Sequence, residues 1–266
     1  RSNMYGNPGG YFYSSTDGTN FTRHSPPTYS GTTAGNVGRI EIEPSPTNAN
    51  KFYILLQDYA DGAEIYVTTD KFSSTTKLNE PNAADTGIAA TDFTRGQSGH
   101  DLEIETDPSN ENIVYVGGID LFRSANGGTS WEQMSKWSNN NDMAALNISI
   151  VHADQHGIYF RPGNSDQAIV VNDGGVAYSS SLASSTVQDT FTDQEKDYIT
   201  TQFYRVAQTP HGYSDDYIIG GTQDNGSYVL EATPFGATVT QTVGGITIST
   251  GDGAYSFVDQ VSPSYI

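Results

Sequence analysis

The stretch LFRSANGGTSW, residues 121–131, decides the fold, because related stretches recur in the chain. It fits the pattern S-x-D/N-x-G-x-S/T-W, and YFYSSTDGTNF, residues 11–21, is a shortened copy. A degenerate copy contains Thr68, Thr69 and Asp70. In such a turn an Asp or Asn side chain accepts backbone N–H groups, glycine adopts a positive φ, and the aromatic ring packs between sheets. We therefore expect structural turns rather than an active site. Their predicted residues are Ser124, Asn126, Gly128 and Trp131 in one copy, and Ser15 and Asp17 in another.

Short alternating segments such as GRIEIEP, KFYILLQ and NIVYVGG predict strands, because they are rich in Val, Ile and Tyr and are bounded by turn residues. The second strand of each repeat ends near an acid, at Asp58, Asp120, Asp173 and Asp224, about 50 to 60 residues apart. A third strand then runs into a hydroxyl-rich turn, and a fourth strand closes the unit. This order predicts an all-β chain, a β-propeller of four-stranded antiparallel blades with about five blades in view. We expect residues 1–266 to form one propeller domain within a longer protein.

The bulk composition excludes several classes of function. The net charge of −19 disfavours binding to nucleic acid and to anionic membrane surfaces. The sequence contains no cysteine, which excludes disulfides and thiolate metal sites. We find no apolar stretch long enough to insert into a membrane. There is also no G-x-S-x-G elbow and no phosphate-binding loop.

A group of ionisable residues stands out in VHADQHGIYF, residues 151–160, where His152, Asp154 and His156 alternate. On a strand all three would point to one side. Two imidazoles and a carboxylate could bind a metal or act as a general acid–base group. The alternative is that they line the central channel and bond one another and water. Calcium is a second candidate cofactor, since it suits Asp-rich loops; no cofactor is certain.

Taken in order, GHDLEIETDPSNENIVYVGGIDLFRSANGGTSW, VHADQHGIYF, VVNDGGVAYSS, TQFYRVAQTP, IIGGTQDNGSYV and GDGAYSFVD resemble the secreted Asp-box (BNR-repeat) β-propellers of Bacteroidetes. The resemblance covers about residues 95–260. Proteins of this group usually carry a type IX secretion sorting domain and are described as sortilin-like (VPS10) or glycosyl-hydrolase-like. The resemblance implies export to the cell surface or the medium, and places the Asp-box on the outer rim. It implies no defined activity.

Propeller enzymes of the xyloglucanase type, which share the Asp-box, place catalytic acids in turns comparable to NDGG and QDNG. That resemblance makes Asp173 and Asp224 the natural catalytic pair, with Asp252 as a third candidate. The alternative is a turn-forming role, because Asp58 and Asp120 occupy the same repeat position. A sialidase is disfavoured, since it would need three arginines around a carboxylate and an Arg-Ile-Pro segment, and no such segment occurs.

Two functions follow as hypotheses. The first is a binding or adhesive module for an extracellular glycan or protein, motivated by the acidic charge and the 17 tyrosines. Its candidate contact residues are His152, Asp154, His156 and Tyr204. The alternative is a glycoside hydrolase that acts on a polysaccharide through two Asp carboxylates about 5–10 Å apart. Further domains of the same protein are additional candidate partners.

Overall fold

The computed structural model describes residues 12–24, 37–59, 62–183, 190–194, 201–210, 217–231 and 246–262. The chain forms two compact units, Arg1–Lys196 and Asp197–Ile266. The described residues contain strands, turns and one short 3-10 helix, Asn141–Ala145. Among them, no helix has the length and apolar character that crossing a membrane requires.

The first unit begins with a hairpin and continues with three four-stranded sheets, here called blades I, II and III. The hairpin pairs β1 (Phe12–Ser14) with β2 (Thr22–His24). Blade I contains β3 (Val37–Pro44), β4 (Phe52–Asp58), β5 (Gly62–Thr68) and β6 (Thr76–Lys77). Blade II contains β7 (Glu103–Asp107), β8 (Asn110–Gly117), β9 (Leu121–Ser124) and β10 (Glu132–Gln133). A parallel pair follows, β11 (Ser135–Lys136) with β12 (Ser149–Ile150). Blade III contains β13 (Gln155–Arg161), β14 (Asn164–Asn172), β15 (Gly175–Ser179) and β16 (Phe191–Asp193).

Among its described residues the second unit contains one sheet, blade IV. Its strands are β17 (Phe203–Gln208), β18 (Tyr217–Thr222), β19 (Asn225–Glu231), β20 (Ile246–Ser249) and β21 (Gly251–Asp252). The first four pair antiparallel in chain order, and β21 pairs parallel with β19.

The prediction of an all-β chain built from four-stranded antiparallel blades is confirmed. In the first unit the first strands β3, β7 and β13 are neighbours, as blades arranged around an axis require. Blade II is packed on both faces, because successive side chains of a strand point to opposite sides. Val114 and Val116 pack with blade I, whereas Tyr115 packs with blade III.

Each blade of the first unit has an edge, here called the upper edge, where its first strand begins and its second strand ends. In blade I, Val37 pairs with Asp58 at this edge, and Pro44 pairs with Phe52 at the opposite, lower edge. The predicted second-strand acids follow this rule, since β4 ends at Asp58 and Asp173 directly follows β14. The third strand of each blade therefore ends at the lower edge.

The stretch of residues 121–131 forms a turn at the lower edge of blade II. Ser124 Oγ accepts the Gly128 N–H at 2.8 Å, and Asn126 Oδ1 accepts the Ser130 N–H at 2.9 Å. Gly128 has a φ of 86°, which favours glycine. Trp131 Nε1–H donates to the Asn79 carbonyl at 2.7 Å, in the connection that follows blade I.

The shortened copy forms the same kind of turn. Ser15 Oγ accepts the Gly18 N–H at 2.8 Å, and Asp17 Oδ1 accepts the N–H groups of Thr19 and Asn20, both at 2.8 Å. These hydrogen bonds lower the pKa of Asp17 far below its ordinary value, the largest contribution coming from Asn20. The side chains of these turns are thus occupied in holding the backbone.

Candidate functional site

Three ionisable side chains from separate segments converge at the upper edge of blades II and III. His156, in β13, places Nε2 2.5 Å from Asp173 Oδ1. His100, from the connection before β7, places Nε2 3.1 Å from Asp173 Oδ2. The two imidazole rings meet edge to face with their centroids 4.7 Å apart. One potential ligand atom from each of the three residues lies within 4.8 Å of the others.

His100 reaches this position through the connection 78–102, which is built from successive turns. Phe93 anchors the connection, since it is fully buried between blades I and II and meets Phe122 edge to face. Asp92 caps the following turn by accepting the N–H groups of Thr94 and Gly96. The connection therefore presents His100 from a packed base.

Asp173 is positioned by the turn NDGG, residues 172–175. Asn172 Oδ1 accepts the N–H groups of Gly174 and Gly175, both at 3.0 Å. The Asp173 N–H donates to the Asp154 carbonyl at 3.2 Å, which ties the turn to the start of blade III. Asp173 thus has a fixed main chain and a side chain that faces two imidazoles.

The pKa values of the neighbouring acids Asp173 and Asp154 shift in opposite directions. Burial raises the pKa of Asp173, but the hydrogen bonds from His156 and His100 outweigh it, so the pKa lies below its ordinary value. Burial, and then the charge of Asp173, raises the pKa of Asp154. Asp154 Oδ1 accepts Gln97 Nε2–H at 3.3 Å.

Asp101 lies beside this group and is fully buried. Neither of its carboxylate oxygens has a hydrogen-bond partner among the described residues. Burial, followed by the nearby charge of Asp154, raises its pKa to about 8. Burial thus favours the protonated form of the Asp101 carboxyl group.

The rim continues onto blade I through Arg39 and Gln57. Arg39 Nη1–H donates to the His100 carbonyl at 2.6 Å, and the Arg39 N–H donates to Gln57 Oε1 at 3.1 Å. The Gln57 side chain and the Tyr59 hydroxyl both lie against Gly38. Tyr59 is 62 % exposed, so an accessible aromatic ring shares the upper edge with the histidines.

The structure corrects the predicted alternation of His152, Asp154 and His156. Strand β13 begins only at Gln155, and Asp154 has a φ of 65°, so the three side chains do not alternate on one strand. His152 lies outside the converging group, and its ring packs against Gly174. His156 does join a histidine–carboxylate group, but with His100 and Asp173.

Sequence reasoning missed His100 as a site residue, although two signals were available. It is one of only five histidines. It also lies three residues before the first strand of blade II, and His156 is the second residue of the first strand of blade III.

In the second unit the structure brings together three other predicted residues. Asp252 Oδ1 accepts the Asp224 N–H at 3.1 Å and the Tyr204 hydroxyl at 3.4 Å. Asp224 has a φ of 60°, as expected for an Asp in a tight turn. Asp173 belongs to the other unit, so its pairing with Asp224 stays a prediction. The predicted calcium site likewise stays a prediction.

No protein-family model matches the sequence, and no curated protein is significantly similar to it. Among solved structures, the GH74 enzyme of Niastella koreensis is 18% identical, with 80% of this chain and 30% of that chain covered and a TM-score of 0.39. YCF48 from Cyanidioschyzon merolae is 9% identical, with coverages of 86% and 62% and a TM-score of 0.42. The β-propeller domain of Cps50 (Swd1) from Myceliophteria thermophila is 14% identical, with coverages of 71% and 56% and a TM-score of 0.34. In each case the chain spans less than two thirds of the matched structure.

Proposed function

We propose that this chain is an extracellular or cell-surface β-propeller module that binds a glycan at the upper edge of blades I to III. The observation that carries the proposal is the continuous rim from the exposed Tyr59 ring, through Gln57 and Arg39, to His100 and Asp173. This rim combines an aromatic surface with hydrogen-bond donors and hydrogen-bond acceptors.

The chemistry of a sugar fits these groups. Sugar hydroxyls can donate to the Asp173 carboxylate and accept from the Gln57 amide or the Arg39 guanidinium. An accessible Tyr ring offers apolar contact area for the C–H face of a sugar and a hydroxyl for hydrogen bonding. A neutral polysaccharide is also not repelled by the net charge of −19, unlike a nucleic acid.

The proposed location outside the cell, with type IX secretion as its route, is supported by the resemblance of the repeats to secreted Asp-box propellers. The turn at residues 124–131 lies at the lower edge of blade II, where its Ser124 and Asn126 side chains hold the backbone. They leave the upper edge free for a ligand, which agrees with a division between a structural rim and a binding rim.

The proposal is tested by titrating the chain with a panel of soluble neutral polysaccharides in a calorimeter. Binding should be detectable for at least one of them, and Tyr59→Ala should weaken it by about tenfold or more, as expected for loss of a well-packed aromatic contact. Tyr13→Ala is the matched control, because Tyr13 is 56 % exposed on the β1–β2 hairpin. If no glycan binds, or if the control loses as much affinity, glycan binding at this rim is wrong.

The same panel separates binding from hydrolysis and from protein recognition. Release of reducing ends would show that the chain is a glycoside hydrolase, and its loss in Asp173→Asn and Asp224→Asn would identify the predicted acids. Binding without turnover supports the module that we propose. Absence of glycan binding together with capture of a defined protein ligand would favour a module that binds protein.

A further inference from the structure

The arrangement of His100, His156 and Asp173 has a consequence that does not depend on glycan binding. Both Nε2 atoms point at one carboxylate, at 2.5 and 3.1 Å, and the three ligand atoms lie within 4.8 Å of one another. Zinc–nitrogen and zinc–oxygen bonds of about 2.0–2.2 Å separate neighbouring ligand atoms by roughly 3.3 Å in a tetrahedron. Small movements of these side chains would therefore create that spacing.

The donor set selects the class of cation. Two imidazoles and one carboxylate are ligands that zinc and other divalent transition metals accept, whereas calcium prefers six to eight oxygens. The sequence has no cysteine, so thiolate ligands do not compete for the ion. The group therefore fits a transition metal better than calcium.

The surroundings hold two of the ligands in place. The Asp173 N–H is bonded to the Asp154 carbonyl, and the His100 carbonyl accepts Arg39 Nη1–H. The side chains of His100, His156 and Asp173 keep 52%, 29% and 25% of their surface exposed. An ion held by these three ligands would thus remain reachable from solvent, with at least one coordination position open.

We propose that His100, His156 and Asp173 bind one divalent transition-metal ion, for which Zn²⁺ fits best, at the upper edge between blades II and III. The ion would link the connection before β7 to strand β13 and to the turn between β14 and β15. Metal binding would then stabilise the folded chain by mass action, and a hundredfold excess of free Zn²⁺ over its Kd should raise Tm by about 5–10 °C.

The test uses the full chain without a polyhistidine tag, stripped with a chelator and titrated with Zn²⁺ alone in competition with a chromogenic chelator. We expect one equivalent to bind saturably. His100→Ala, His156→Ala and Asp173→Asn should each weaken binding by at least about 100-fold, since losing even a residue that orients a metal ligand costs about 10–100-fold. Circular dichroism in the presence of chelator verifies that each variant is folded, and His100, more than half exposed, is the substitution least able to disturb folding.

Two further histidine variants make the result decisive. His152→Ala should leave the affinity within about threefold of the parent chain, because His152 lies outside the ligand group. His24→Ala, on the β1–β2 hairpin, controls for binding by any imidazole. Absence of saturable Zn²⁺ binding, unchanged affinity in His100→Ala, or an equal loss in His152→Ala or His24→Ala would each overturn the proposal.

Discussion

His100 and Asp173 are separated by 73 residues, yet His100 Nε2 lies 3.1 Å from Asp173 Oδ2. The contact joins the connection before blade II to the turn between β14 and β15 of blade III. The two residues belong to different repeats, so contacts within one repeat cannot bring them together. The polar centre of the upper edge is therefore a product of packing between blades, whereas the backbone hydrogen bonds that Ser124 and Asn126 accept lie within one turn of blade II.

The first strands β3 and β7 carry carboxylates whose ionisation should make stability depend on pH. Burial, and then the charges of Glu43 and Glu103, raises the pKa of Glu105 to about 8. In the unfolded chain a Glu titrates near 4.5. Between the two pKa values the folded state keeps this proton while the unfolded chain releases it, so the contribution of Glu105 to the free energy of unfolding is greatest below about pH 4.5 and is lost as the pH rises towards 8.

Glu105→Gln should remove this loss of stability at high pH. At pH 8 we expect the variant to be more stable than the parent chain by on the order of 1 kcal/mol, less than the full pKa shift would give, because solvent screens the partly exposed carboxylate. Chemical denaturation at pH 5 and pH 8 measures the difference. Glu111→Gln is the contrasting control, because hydrogen bonding led by the Ser45 hydroxyl lowers the pKa of Glu111. A gain at pH 8 in both variants would contradict this explanation.

Removing the central hydroxyl of the Asp-box should cost stability but spare the upper edge. Ser124 is fully buried and accepts the Gly128 N–H at 2.8 Å. Ser124→Ala leaves that donor unpaired, at a cost of about 1–3 kcal/mol, and should lower Tm by several degrees. The exposed neighbour Ala125 provides a control as Ala125→Ser. A change in glycan or Zn²⁺ affinity in the folded Ser124→Ala variant would show that the two edges are coupled.

Phe93, which anchors the connection 78–102, should limit how often this connection unfolds locally. Phe93 has no exposed surface and lies 5.9 Å from Phe122 between ring centroids. Phe93→Ala is expected to cost about 3–5 kcal/mol and to accelerate trypsin cleavage after the exposed Arg95, measured by mass spectrometry at a temperature where the variant stays folded. Phe21→Ala, at a ring 62 % exposed on the surface, should change neither quantity. Unchanged cleavage at Arg95 would mean that the connection is held by its turns alone.

The fold could be predicted from sequence because its determinants are local. The apolar, strand-forming run in residues 52–58 and the hydroxyl and amide groups of residues 124–130 act within a few residues of themselves. The blade order then follows from repetition of these units. The packing of one blade against the next is not local. The residues near His100 in the sequence therefore do not predict its contact with Asp173.

The site was predicted only in part for a related reason. His156 and Asp173 were both selected from sequence, but as members of different groups. The alternation rule assumed an extended backbone, and it fails at Asp154, whose φ of 65° turns the chain just before β13. The left-handed backbone at Asp154 therefore breaks the predicted alternation, and His156 contacts Asp173 instead of sharing a strand face with His152 and Asp154.

The packing of His152 against Gly174 supplies a test of how the NDGG turn is held. A Cβ atom added at Gly174 would lie 2.4 Å from His152 Cγ, closer than packed atoms can approach. Gly174→Ala should therefore destabilise the chain by about 1–3 kcal/mol, as expected for overpacking. The Cβ atom of His152 would itself lie 2.5 Å from the added atom, so only a substitution that removes this Cβ relieves the contact. Because His152 is exposed, His152→Gly alone should cost no more than about 1 kcal/mol, from added backbone freedom, and the double variant should regain most of the stability that Gly174→Ala loses. Thermal unfolding of the four proteins gives the coupling directly. Additive losses in the double variant would mean that the backbone of the turn, rather than contact with the His152 side chain, excludes a side chain at position 174.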